Sequence, residues 1–93
     1  MIKSFRHRGL QRYFETGDQR ELRADQVKRI RRVLAILDAA TSVETLNAMP
    51  GMRLHRLKGD LSEYWSLSVT GNWRIIFRIE NGDMHDVEFV DYH

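Results

Sequence analysis

Six residues of this chain have side chains suited to chemistry and lie in or near its last third. They are His55, Lys58, Arg74, and the triplet Asp91, Tyr92 and His93 in "VDYH". Several reaction classes are excluded at once. There is no cysteine, so disulfides, thiolate nucleophiles and zinc–thiolate sites are impossible. The four histidines are scattered without ligand spacing or a supporting carboxylate cluster, so no metal site is expected. There is no Gly-rich phosphate loop and no nucleophile elbow. The remaining groups suit RNA strand cleavage. That reaction needs a 2′-hydroxyl deprotonated, charge on a pentavalent phosphate stabilised, and a proton given to the departing 5′-oxygen. The RNA brings its own nucleophile. Arg74 and Lys58 suit the phosphate, arginine through its planar fork. His93 suits proton transfer near neutrality, and a neighbouring terminal carboxylate favours its protonated, acid form. Tyr92 suits base stacking or proton transfer.

Each residue also has a plainer reading. His55 is an ordinary strand residue and Lys58 a solvated lysine beside a turn. Arg74 and Arg78 pair with Glu88 and Asp86 across a sheet, and Tyr92 caps the core edge.

The elements that must position these groups follow from periodicity. "IKSF" (2 to 5) fits a short strand. Leu10, Tyr13 and Phe14 share one face of a short helix that Gly17 stops. Residues 24 to 40 carry the clearest helical stripe: Val27, Ile30, Val33, Leu34, Leu37 and Ala40. "TSVE" reads as a capping box with Thr41 as cap and Glu44 at the third helical position, opening a helix to about Asn47. Pro50 marks the change to period two. "MRLHRL", "YWSLSVT", "WRIIFRI" and "DVEFV" read as strands, with "TGN" and "NGD" as hairpin signals.

Register follows from the faces. A strict two-residue loop at Gly71-Asn72 sets Trp65 against Arg78 and Val69 against Arg74. A one-residue shift pairs Trp65 with Phe77, Leu67 with Ile75 and Val69 with Trp73. It also pairs Phe77 with Val87 and Ile75 with Phe89 in the next hairpin. Both hairpins therefore need an odd-sized loop or a bulge. One face becomes an apolar layer under helices. The other presents Tyr64, Ser66, Ser68, Arg74, Arg78 and Glu88, with Arg74 opposite Val90 and Tyr92 two residues further along. The expected fold is α+β: a small, mainly antiparallel sheet with N-terminal helices on one face, in a single domain spanning 1–93.

Charge is uneven. Residues 1 to 34 hold ten Lys/Arg against four Asp/Glu, whereas 35 to 93 hold five against nine. The basic half points to a polyanion or an acidic partner, or to a solvated helix face. No apolar run approaches 18 residues and "MIKSFRHRGL" is no signal peptide, so no membrane association and a cytoplasmic location are expected.

The segments "MIKSF", "LKGD" with "YWSLSV", "NWRIIF", "NGD" and the terminal "DYH" together resemble the HigB branch of the RelE/ParE toxin superfamily, over essentially the whole chain. The resemblance implies a toxin of a type II toxin–antitoxin system. Its implied activity is ribosome-dependent mRNA cleavage without metal or other cofactor. It implies a helix-turn-helix antitoxin of the HigA kind, with operator DNA bound only through that complex. It carries active-site roles onto His55, Lys58, Arg74, Asp91, Tyr92 and His93. Lys28, Arg29, Arg31, Arg32 and Arg78 become candidate contacts to mRNA and ribosomal RNA. Two readings compete: a ParE-like gyrase poison on the same fold, and a non-enzymatic module that binds RNA or antitoxin.

Overall fold

The computed structural model describes residues 1–91. The apolar stripe forms helix α2 (Val27–Ala39), burying Ile30, Val33, Leu34 and Leu37 while Lys28, Arg29, Arg31 and Arg32 stay exposed. The helix starts three residues later than periodicity suggests. Before it, α1 (Arg8–Thr16) is capped by His7, whose Nδ1 accepts from the Leu10 N–H at 3.1 Å. Gly17 ends α1 at φ 82°, and its N–H donates to the Tyr13 carbonyl. Helix α3 (Val43–Asn47) is capped by Ser42 rather than Thr41: the Ser42 Oγ accepts from the Thr45 N–H. Glu44 falls in the first turn, where a carboxylate favours the helix dipole.

Four strands follow: β1 (His55–Arg56), β2 (Trp65–Ser68), β3 (Trp73–Glu80) and β4 (Asp83–Asp91). They form one antiparallel sheet in the order β1-β2-β3-β4. Strand β1 is much shorter than "MRLHRL". Arg53 sits at φ 52°, a left-handed backbone that interrupts extended structure, and only His55 and Arg56 pair with Ser66 and Trp65.

The β2–β3 register is the shifted one: Trp65 opposes Phe77 and Leu67 opposes Ile75. Its loop is odd, with Thr70, Gly71 and Asn72 between Val69 and Trp73, whose backbones bond at 2.9 Å. The β3–β4 hairpin uses the other solution. Its turn is a tight two-residue one, Asn81 (φ 53°) and Gly82 (φ 80°), between the paired Glu80 and Asp83. The slip comes within the strand. Ile76 opposes Glu88 but Arg78 opposes His85, so Phe77 faces both Asp86 and Val87. Asp86 takes the bulge at φ 53°, and its N–H donates to the Ser4 Oγ at 2.8 Å. Beyond the bulge the expected Ile75–Phe89 pair is restored.

Residues 2 to 5 are not a continuous strand. They make isolated parallel bridges, Ile2 to Met84 and Phe5 to Val87. Leu10, the α2 stripe and Leu46 then pack with Leu67, Ile75, Phe77, Met84 and Val87 in one core on one face of the sheet.

Candidate active site and RNA-facing groove

Arg74 stands at the start of β3, opposite Ser68 on one side and Val90 on the other. It therefore projects on the face away from the helices. Its Nη1 donates to the Gly71 carbonyl at 3.1 Å, which ties the guanidinium to the β2–β3 loop. Its Nε is buried with no hydrogen-bond partner among the described residues, and the same holds for Ser68 Oγ. Together with Arg29, Gly51, Arg53 and Thr70 they line a pocket of about 300 Å³. This pocket adjoins a larger groove of about 870 Å³ along α2, lined by Lys28, Arg29, Arg31, Arg32, Pro50 and Met52. The two share Arg29, Gly51, Ser68 and Val69, so basic α2 and Arg74 border one continuous surface.

The remaining candidates are spread out. His55 is exposed on β1 opposite Ser66, on the same face as Arg74 but two strands away. Lys58 is exposed beyond the Leu57–Tyr64 backbone bond, at the other end of β2 from Ser68. The ladder puts Asp91 opposite Trp73. Because neighbours alternate, that is the opposite side from Arg74. Tyr92 and His93 lie outside the described residues.

The face between these groups is less polar than the sequence suggests. Tyr64 and Ser66 are buried, and Leu57, Tyr64 and Ile76 form a second small core with Val90 against it. Arg6 reaches this face and donates to the Tyr64 hydroxyl at 3.2 Å, a bond that raises the Arg6 pKa. Arg78, a candidate RNA contact, is engaged within the chain. Its Nε donates to Asp86 at 2.8 Å, with Glu80 at 3.5 Å, so its charge is matched within the chain. The Asp86 hydrogen bond raises the Arg78 pKa. Arg78 thus holds the bulge, whereas Lys28, Arg29, Arg31 and Arg32 form no ion pair among the described residues.

Two residues escaped the sequence reading. Gln26 is 1% exposed, and its Nε2 donates to the Thr70 hydroxyl at 2.9 Å. Arg29 adds a bond to the Val69 carbonyl at 3.2 Å, so the start of α2 is stapled twice to the loop that holds Arg74. Gln26 precedes Ile30 by four residues, so the helical stripe itself carried the signal. Arg53 had no such signal, because its left-handed backbone is not written in a pattern.

Comparison with known proteins decides the family. A model described as RelE-like toxin of type II toxin-antitoxin system HigB matches residues 3–93. The chain belongs to the HigB-like toxin family. Endoribonuclease HigB of Proteus vulgaris is 45% identical over 93 residues, covering 100% of both chains. Toxin HigB-1 of Vibrio cholerae serotype O1 is 30% identical over 83 residues, covering 88% of this chain and 87% of the relative. A solved YoeB/ParE toxin from Agrobacterium tumefaciens superposes with a TM-score of 0.57 at 18% identity. It covers 100% of this chain and 99% of its own, and it supports the α+β architecture of this HigB-like toxin. No helix among the described residues is long and apolar enough to cross a membrane.

Proposed function

We propose that this HigB-like toxin is an endoribonuclease that cleaves mRNA on the ribosome, halts translation, and needs no metal. Full-length identity to an endoribonuclease HigB supports the cleavage activity. The family places the chain as the toxin of a type II pair, so a protein antitoxin is its partner. A HigA-like helix-turn-helix protein that carries the complex to operator DNA is the form we propose for it.

One observation carries the chemical reading: Arg74 is held opposite Val90 with its Nε unpaired among the described residues, on the strand pair leading to the terminal triplet. In the proposed step the 2′-oxygen attacks the adjacent phosphorus and its proton passes to a base. The bond to the 5′-oxygen breaks, and that oxygen takes a proton. A 2′,3′-cyclic phosphate and a 5′-hydroxyl result. Arg74 stabilises the charge that develops on the phosphate oxygens. Lys58 and His55 complete the site once RNA bridges the distance between them. His93 acts as acid or orienter, with Tyr92 and Asp91 as positioners. The exposed α2 cations hold ribosomal RNA.

The test is induced expression with mapped mRNA ends, beside purified toxin with free RNA and with programmed ribosomes. Growth arrest with ribosome-dependent cuts is expected, abolished by removing residues 91 to 93. Cutting of free RNA at the same rate would remove the ribosome from the proposal. Cleavage that survives the deletion would remove the terminal triplet.

A further inference from the structure

Arg53 is the least explained residue of the basic surface. A non-glycine residue at φ 52° is uncommon, and such strain is kept where the surroundings impose it, often at functional sites. Here the surroundings do impose it. On one side Met52 is buried and its carbonyl accepts from the Ser68 N–H at 2.8 Å. On the other, Leu54 packs against the main core and His55 joins the ladder. The turn between these anchors places Arg53 on the wall of the pocket that Arg29 and Arg74 also line.

The electrostatics of that pocket are one-sided. Three guanidiniums line it and, among the described residues, no carboxylate does. None of the three forms an ion pair among the described residues, although Arg12, Arg20, Arg23 and Arg78 all do. Two of them have one terminal nitrogen engaged by a backbone carbonyl, Arg29 with Val69 and Arg74 with Gly71. Those bonds orient the forks without neutralising them. Ser68 Oγ and Arg74 Nε remain unpartnered among the described residues. Gathering like charges costs free energy unless an anion offsets it, and the fork geometry matches phosphate oxygens.

We propose that Arg29, Arg53 and Arg74, over Ser68, form a binding site for an RNA phosphodiester next to the scissile one, with Arg74 shared between the two phosphates. This rests on the ribonuclease reading and assigns Arg53 a binding role within it. The phosphodiester comes either from the mRNA or from ribosomal RNA.

Arg53→Gly separates binding from folding. Glycine accepts φ 52° without strain, so the thermal midpoint should hold or rise. Affinity is measured for ribosomes programmed with an mRNA whose cleaved nucleotide carries a 2′-O-methyl group. Loss of a charge-assisted contact lowers that affinity about tenfold, and the slope of log affinity against log salt becomes shallower by about one. Arg53→Lys should restore the slope and only part of the affinity. A single neutral methylphosphonate walked along the mRNA then assigns the source. A linkage that costs wild-type affinity and is silent in Arg53→Gly places the phosphate on the mRNA. A tenfold loss with no linkage silenced places it on ribosomal RNA. Unchanged affinity and slope in Arg53→Gly overturn the site while leaving the ribonuclease reading intact. Wild-type protein that neither binds programmed ribosomes nor cleaves their mRNA overturns both.

Discussion

The two faces of the sheet are built from the same strands and do opposite work. On the helix side, Leu67, Ile75, Phe77, Met84 and Val87 are fully buried in one continuous core. On the other side, Leu57, Tyr64 and Ile76 make only a small apolar patch, bordered by Arg74, His55 and Glu88. Alternation along each strand keeps the roles apart, so adjacent residues such as Arg74 and Ile75 belong to different problems. A sheet covered by helices on one side can carry stability there and leave the other side to bear charged groups.

This division can be broken most severely from the covered side. Phe77→Ala removes the largest fully buried side chain, beside the bulge, and should cost about 3–5 kcal/mol in urea or thermal unfolding. Protein that remains folded should still cleave at nearly the wild-type rate. The converse substitution, Arg74→Ala, should lower ribosome-dependent cleavage by about 10²–10³-fold, as for loss of one charge-stabilising donor. Its unfolding midpoint should barely move, because its side-chain hydrogen bonds among the described residues go only to the nearby Gly71 and Trp73 carbonyls. A large stability loss there would mean that Arg74 is a structural clamp. The smallest effect lies away from both faces. The Arg20 guanidinium holds Asp18 down to about 2 from its ordinary 3.8. Its stabilising contribution is therefore present above pH 3.8 and is lost as pH falls through the folded value near 2. Asp18→Asn should melt slightly lower than wild type at neutral pH, and the gap should close between pH 3.8 and 2. A gap unchanged through that window would assign the effect to something other than the carboxylate.

Much of this arrangement was legible in the residues. The apolar sets of β2, β3 and β4 admitted one register for each pair, and the β3–β4 register placed Arg74 opposite Val90. The same logic demanded an odd loop or a bulge in each hairpin, but it could not choose between them. Asn81-Gly82 is the strongest two-residue turn signal in the chain, so the misfit moved along β4 to Asp86, where Ser4 and Arg78 hold the strained backbone. The truncation of β1 was not legible, because Arg53 looks like any polar strand residue. Gln26 lies within the helix expected over 24 to 40 and in line with its apolar stripe, but a glutamine is not an apolar residue, and its bond to Thr70 depends on the fold. Asp91 was grouped with Arg74 by motif, although strict alternation already assigned it to the other side. The pairing of Arg78 with Asp86 was foreseen as the plain reading, and it is the one the structure supports.

The parallel bridges of residues 2 to 5 have a consequence for how the molecule is made. Ser4 and Asp86 are 82 positions apart, so residues 2 to 5 must wait for partners made much later than themselves. Pairing at such separation is slow, because the chain gives up much freedom before any contact rewards it. The Asp86 bulge, the register of β4 beyond it and the strand pair bearing Arg74 are thus completed late in assembly.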